Sequence, residues 1–174
     1  MTKISRIDKV YPGGDVEFEI DISKLIEKQQ HNGKKTNVYF AGPWFDYRAS
    51  YLYNRVRYEL EKFEKFRVYF PIDHTAKTPK KTFEDNVKNI KNAEIVMALI
   101  DRKDTGTAWE IGLAQGLGKE VILVAIDEES FKSGTNIMLA FTGKALLLKN
   151  FVNYMLTRNT NYLYKVKNTW EGKQ

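Results

Sequence analysis

The stretch that most restricts how this chain can fold runs from Ala93 to Gly118, AEIVMALIDRKDTGTAWEIGLAQGLG. Ile95 to Ile100 is a short apolar run with β-branched residues, the pattern of a buried strand. Asp101 to Thr107 is polar and holds Gly106. Ala108 to Leu117 then reads as a helix whose Gly112 and Gly116 would let it lie close against a sheet. Strand, loop and helix in that order make a unit of an open α/β sheet, and their junction falls at the carboxyl edge of the strands, where ligands bind. Glu110, expected in the first turn of that helix, is thereby a carboxylate at the reactive edge.

A structural role competes for the same side chain. Thr107 and Glu110 stand three apart in Thr-Ala-Trp-Glu, the spacing of a capping box in which hydroxyl and carboxylate each take one orphan N–H of the helix start. Spacing alone favours the cap.

The rest of the chain repeats the β–α pattern. Thr36 to Ala41 is a strand that Gly42-Pro43 ends, since proline cannot continue it. Asp46 to Phe66 spaces Leu52, Val56, Leu60 and Phe63 as one apolar stripe of a helix. Arg67 to Phe70 is the second strand and Pro71-Ile72-Asp73-His74 leaves its end. Thr78 to Asn92 is a helix with Pro79 at its first position and Phe83, Val87 and Ile90 turned to the sheet. Lys119 to Ile126 and Ala145 to Leu148 complete five strands, with Gly134 to Met138 as a loop between them. Residues 1–36 form an N-terminal extension in which Tyr11 to Gly14 signals a turn, Val16 to Asp21 alternates as a strand of a hairpin, and Ser23 to Gln30 suits a short helix. The α/β domain spans 37–150, and 151–174 is a C-terminal tail.

Composition narrows the function classes. With 174 residues and 43% hydrophobic content the chain can bury a core without staples. It has no cysteine and only two histidines, so neither a thiol nucleophile nor a usual metal-ligand spacing is present, and no metal or cofactor is expected. No apolar leader core or membrane-length run occurs, which predicts a cytoplasmic location away from membranes. The net charge of +6 comes from lysines interleaved with acids, as in EKFEK, and that scatter argues against a nucleic-acid surface. Thr142-Gly143-Lys144 is not a P-loop, because Met138 stands where its first glycine belongs.

Taken together, VYFAGPWF (Val38 to Phe45), PID (Pro71 to Asp73), NIKNAEIVMALID (Asn89 to Asp101), GTAWEIGLAQGLGKEVILV (Gly106 to Val124) and TNIM (Thr135 to Met138) resemble the nucleoside 2-deoxyribosyltransferases. The resemblance implies a flavodoxin-like, doubly wound, five-stranded parallel sheet carrying the N-terminal hairpin and helix as an addition. It implies that Glu110 attacks the anomeric carbon of a 2′-deoxynucleoside and passes the sugar to a second base. Tyr39 matches the tyrosine that orients this carboxylate, and Trp44 and Phe45 match an aromatic wall for base and sugar. Asp73 matches an acid that binds the base and handles its ring proton. Gly106, Asn136 and Met138 join the substrate contacts, with Asn136 and Met138 reaching a neighbouring subunit's site. Partners are then deoxynucleosides and free nucleobases, within a homo-oligomer, hexamer or dimer, whose sites are shared.

The chain departs from that pattern at Asn86, where the family usually has an aspartate. The nearest acid is Asp85, about 100° away around the helix. Trp170 and Glu171 match an aromatic-Glu-Gly ending that closes over the site in some relatives. Two other readings use the same residues: a 2′-deoxynucleoside or deoxynucleotide N-glycoside hydrolase, and a non-catalytic nucleotide-binding module.

Overall fold

The computed structural model describes residues 34–101, 104–132 and 137–166. The expected N-terminal hairpin and helix, Asn136, Trp170 and Glu171 lie outside the described residues. Five strands form one parallel sheet: β1 (Thr36–Ala41), β2 (Phe66–Tyr69), β3 (Ile95–Leu99), β4 (Glu120–Ala125) and β5 (Lys144–Leu147), in the order β2-β1-β3-β4-β5. This is the flavodoxin-like order, whose direction reverses between β1 and β3 and so opens a crevice at their carboxyl ends. The fold expected from the sequence is the fold found.

Successive side chains of a strand point to opposite faces, so β1 divides its aromatic residues. Tyr39 and Ala41 join Val96, Ala98, Val121 and Leu123 in a core covered by Ile90 and Ala93 from helix α2 (Pro79–Asn92) and its end, and by Ile111 and Ala114 from helix α3 (Thr105–Gly116). Phe40 faces the other way, onto Tyr53 of helix α1 (Tyr47–Glu61) at 4.6 Å between ring centroids and onto Phe70 at 5.8 Å. Helix α1 buries Leu52, Tyr53, Val56 and Leu60 on that face, as the apolar spacing predicts.

The three long helices each begin where a side chain takes over orphan N–H groups. Asp46 accepts from Ala49 N at 2.9 Å to start α1, and Thr78 accepts from Lys81 N at 3.2 Å ahead of Pro79 to start α2. Helix α1 ends at Glu61, short of the expected Phe66, although Phe63 stays buried. Beyond the helix the chain turns through Phe63, and Phe66 pairs with Thr36 as the first residue of β2. Ladder pairing thus takes Phe66 from a helix that periodicity alone would extend.

Other expectations also need correction. Gly112 and Gly116 face outward, with nothing within 4 Å of a Cβ built there, so the close packing of α3 comes from Thr107, Ile111 and Ala114. Phe83 is exposed and packs on Trp109, its ring centroid 5.3 Å away, while Ile90 carries the burial of α2. Ile137–Ala140 forms a short helical turn where a loop was expected. After β5 the chain makes helix α4 (Phe151–Thr157), whose Phe151, Tyr154 and Met155 are fully buried, so this part of the tail belongs to the core.

Candidate active site

The helix that carries Glu110 starts earlier than its apolar pattern suggests. Asp104 is the residue that caps α3, accepting from Thr107 N at 2.7 Å and from the Thr107 hydroxyl at 2.9 Å. Thr107 therefore donates to the cap instead of being it, and Glu110 takes no part in a capping box. Glu110 is the sixth residue of α3, a full turn beyond the expected first turn.

Released from the backbone, its carboxylate points at the sheet. The Tyr39 hydroxyl donates to Glu110 Oε1 at 2.5 Å, joining β1 to the helix that follows β3 across the reversal point of the strand order. Tyr39 is fully buried, and burial followed by the neighbouring Glu110 charge pushes its phenol far above the ordinary range. It remains a donor at any physiological pH. Burial also pushes Glu110 up, against the Tyr39 hydrogen bond and with a smaller push from Asp104, to about 7. Near neutrality this carboxylate is poised between its two forms, as a group that works as nucleophile or proton carrier requires.

The other expected residues lie at varying distances from this pair. Trp44 and Phe45 touch each other with ring centroids 5.0 Å apart, and Trp44 meets Tyr53 edge-on at 5.9 Å, while Phe45 is 75% exposed. That leaves an aromatic surface open to a ligand beside the end of β1. Asp73 lies in a single 3₁₀ turn, Pro71–His74, and accepts from Arg57 Nη1 at 2.8 Å. Arg57 itself lies over the Phe70 ring, so Asp73 is tied to the α1 side of the sheet. The structure thus ties Asp73 to Arg57 and Glu110 to Tyr39, and it brings the two carboxylates into no direct contact.

Asn86 is half-buried on α2, one turn before Asn89 and Ile90 on the same face. Gly106 is the second residue of α3, where a Cβ would come within 3.1 Å of Asp104 Oδ2. Met138 is 73% exposed in its short helix. Among the described residues no cluster of three or more His, Asp or Glu side chains could hold a metal ion, and no helix is long and apolar enough to cross a membrane.

Two residues near Glu110 were not anticipated. Tyr69 of β2 lies directly opposite Tyr39 in the ladder, its ring stacked on that of Tyr39 at 5.6 Å, with Asn89 beside its hydroxyl. Asp104 is the acid whose charge reaches Glu110. A signal for Tyr69 was available: Val-Tyr-Phe occurs at both 38–40 and 68–70, and the parallel register pairs the two copies residue for residue.

Comparison with known proteins agrees with the fold. None of the curated proteins matches the chain by sequence. Among solved structures, a 2-deoxyribosyltransferase from the psychrotolerant bacterium Bacillus psychrosaccharolyticus is similar, with TM-score 0.60 and 24% identity over 68% of this chain and 92% of that one. A 2-deoxyribosyltransferase from Leishmania mexicana is similar with TM-score 0.53 and 21% identity, covering 70% of this chain and 97% of the other. At these identities the likeness is one of fold. The sequence itself goes further: a family model described as Nucleoside 2-deoxyribosyltransferase matches residues 38–161, from the strand that bears Tyr39 to beyond α4, and by that match the chain belongs to the nucleoside 2-deoxyribosyltransferase family.

Proposed function

We propose that this member of the family transfers 2-deoxyribose between nucleobases through a covalent ester on Glu110. The observation that carries this reading is the Tyr39–Glu110 pair, a carboxylate held by a buried phenol at 2.5 Å where β1 and β3 part. Glu110 attacks C1′, the C1′–N bond breaks, and the base leaves with the bonding pair and a proton. A second base then attacks C1′ through a ring nitrogen and gives up its own proton as Glu110 departs. Two displacements on the same carbon give net retention. Absence of a 2′-hydroxyl eases the oxocarbenium-like transition state, so it needs less assistance.

In this reading Tyr39 fixes the carboxylate and Trp44 and Phe45 stack on the base, while Asn86 meets a sugar hydroxyl and Gly106 and Met138 line the substrate. Asp73 handles the base proton. The reading includes an oligomer in which Asn136 completes a neighbour's site, and sedimentation tests that part. Incubating Glu110→Ala with deoxyinosine and free adenine or cytosine should form no new nucleoside. Undiminished exchange would refute the assignment, and free deoxyribose released equally with and without an acceptor base would make the enzyme a hydrolase.

A further inference from the structure

We propose that Tyr69 is a positioning residue for this chemistry: stacked on Tyr39 from the next strand, it sets the angle at which the phenol meets Glu110. The inference rests on the reading of Glu110 as the reacting carboxylate. Four observations converge on it. The β1–β2 register places Tyr69 directly opposite Tyr39, and the two rings lie 5.6 Å apart and only 17° from parallel. The exposed ring of His74 stacks on Tyr69 at 4.5 Å and 11°. Asn89 of α2 lies beside the Tyr69 hydroxyl, and its amide nitrogen donates to Asp85 O at 2.8 Å, which fixes that neighbour to the helix backbone. The Tyr69 phenol also lies within electrostatic reach of Glu110.

The physical consequence concerns orientation. A hydrogen bond weakens steeply as its angle closes, so a donor ring free to tilt about its strand would lose much of its hold on the carboxylate. Tyr39 is bounded by the apolar core and by the Tyr69 ring. His74 and Asn89 in turn keep Tyr69 from tilting away. Without Tyr69 the phenol leans into the space vacated, the hydrogen bond that opposes desolvation of Glu110 lengthens, and Glu110 holds its proton to higher pH.

The ionisation of Glu110 can be read without turnover, from the pH dependence of the difference in unfolding free energy between each protein and its Glu110→Gln counterpart. In the unaltered protein that difference should level off near pH 7. Tyr69→Leu should move the point upward by about one pH unit, the size of effect expected for loss of a hydrogen bond to a charged group. Tyr69→Phe, which restores the ring, should return it to within about a third of that shift. The acidic limb of the exchange rate should move in parallel.

A folded Tyr69→Leu protein with an unmoved midpoint overturns the proposal. Should that variant fail to fold, His74→Ala combined with Asn89→Ala strips both supports from the Tyr69 ring at positions outside the core and is read the same way. A moved midpoint where the unaltered protein exchanges no bases would sink the proposed transfer and leave only the hold of Tyr69 on the Tyr39–Glu110 pair standing. Exchange with an unmoved midpoint would do the reverse.

Discussion

Asp104 and Glu110 sit less than two turns apart at the head of α3, yet they do unlike work. Asp104 turns back on its own helix and accepts from both the backbone N–H and the hydroxyl of Thr107. Glu110 faces the sheet, takes one hydrogen bond from a residue 71 positions away, and is pushed up to about 7 by burial. An acid on its own helix cap stabilises the fold locally. One desolvated against a phenol from another strand costs stability while its charge persists, and such a cost is typical of a group kept for chemistry.

The contrast can be broken most severely at Glu110 itself. Glu110→Ala should lower the exchange rate by at least about 10³-fold, the order seen when a covalent nucleophile is removed, while folding is retained. Initial rates with a deoxynucleoside and a free base provide the check. A result within tenfold of the unaltered enzyme would place Glu110 with Asp104 as a structural acid.

Next in size is the effect on stability. In the folded protein Glu110 binds its proton up to about 7, against an ordinary value of 4.5. Between those limits the folded state holds more protons than the unfolded one, so stability falls as pH rises through the window. Glu110→Gln removes that loss. It should stabilise the protein by at most about 3 kcal/mol at pH 8, with the gain vanishing below about pH 4.5. Urea unfolding at pH 4.5 and 8 measures both ends.

Tyr39→Phe sharpens the comparison, since it keeps the ring and its stacking on Tyr69 while deleting the donor. The expected outcome is a 10- to 100-fold loss of exchange, about 1.5–3 kcal/mol for a hydrogen bond to a charged group. Its pH profile should rise later, because Glu110 loses the interaction that lowers its affinity for a proton. The smallest effect belongs to Asp104→Ala, which should cost about 1 kcal/mol of stability as a lost cap. It should also lower the Glu110 midpoint slightly by removing a neighbouring negative charge, which the same unfolding series at closely spaced pH values would detect.

Much of the fold could be read from local pattern. The ranges of β1 and of α2, with Thr78 and Pro79 at its start, follow the sequence closely, because a proline, a cap and an uninterrupted apolar run act within a few residues. Buried β3 and β4 announce themselves in the same way. Errors arose where two local signals competed. Thr-Ala-Trp-Glu fits a capping box as well as Asp-Thr-Gly-Thr fits a cap one turn earlier, and only the folded chain shows that Asp104 wins. Phe63 and Phe66 both extend a helical stripe, but pairing with Thr36 draws Phe66 into the sheet. Glycines 112 and 116 sit at a spacing that suits close packing, yet the face that packs is the one bearing Ile111 and Ala114.

The sequence by itself determined the architecture and the family, because hydrophobic period, turn residues and motif order are properties of neighbours along the chain. It marked Glu110 and Tyr39 only through resemblance. Tertiary structure decided that Glu110 meets a phenol instead of its own backbone, that Asp73 is engaged by Arg57, and that Tyr69 stacks behind Tyr39. Those outcomes depend on strand register and helix rotation, which bring together side chains far apart in sequence, and no local pattern encodes the angle or burial at which they meet.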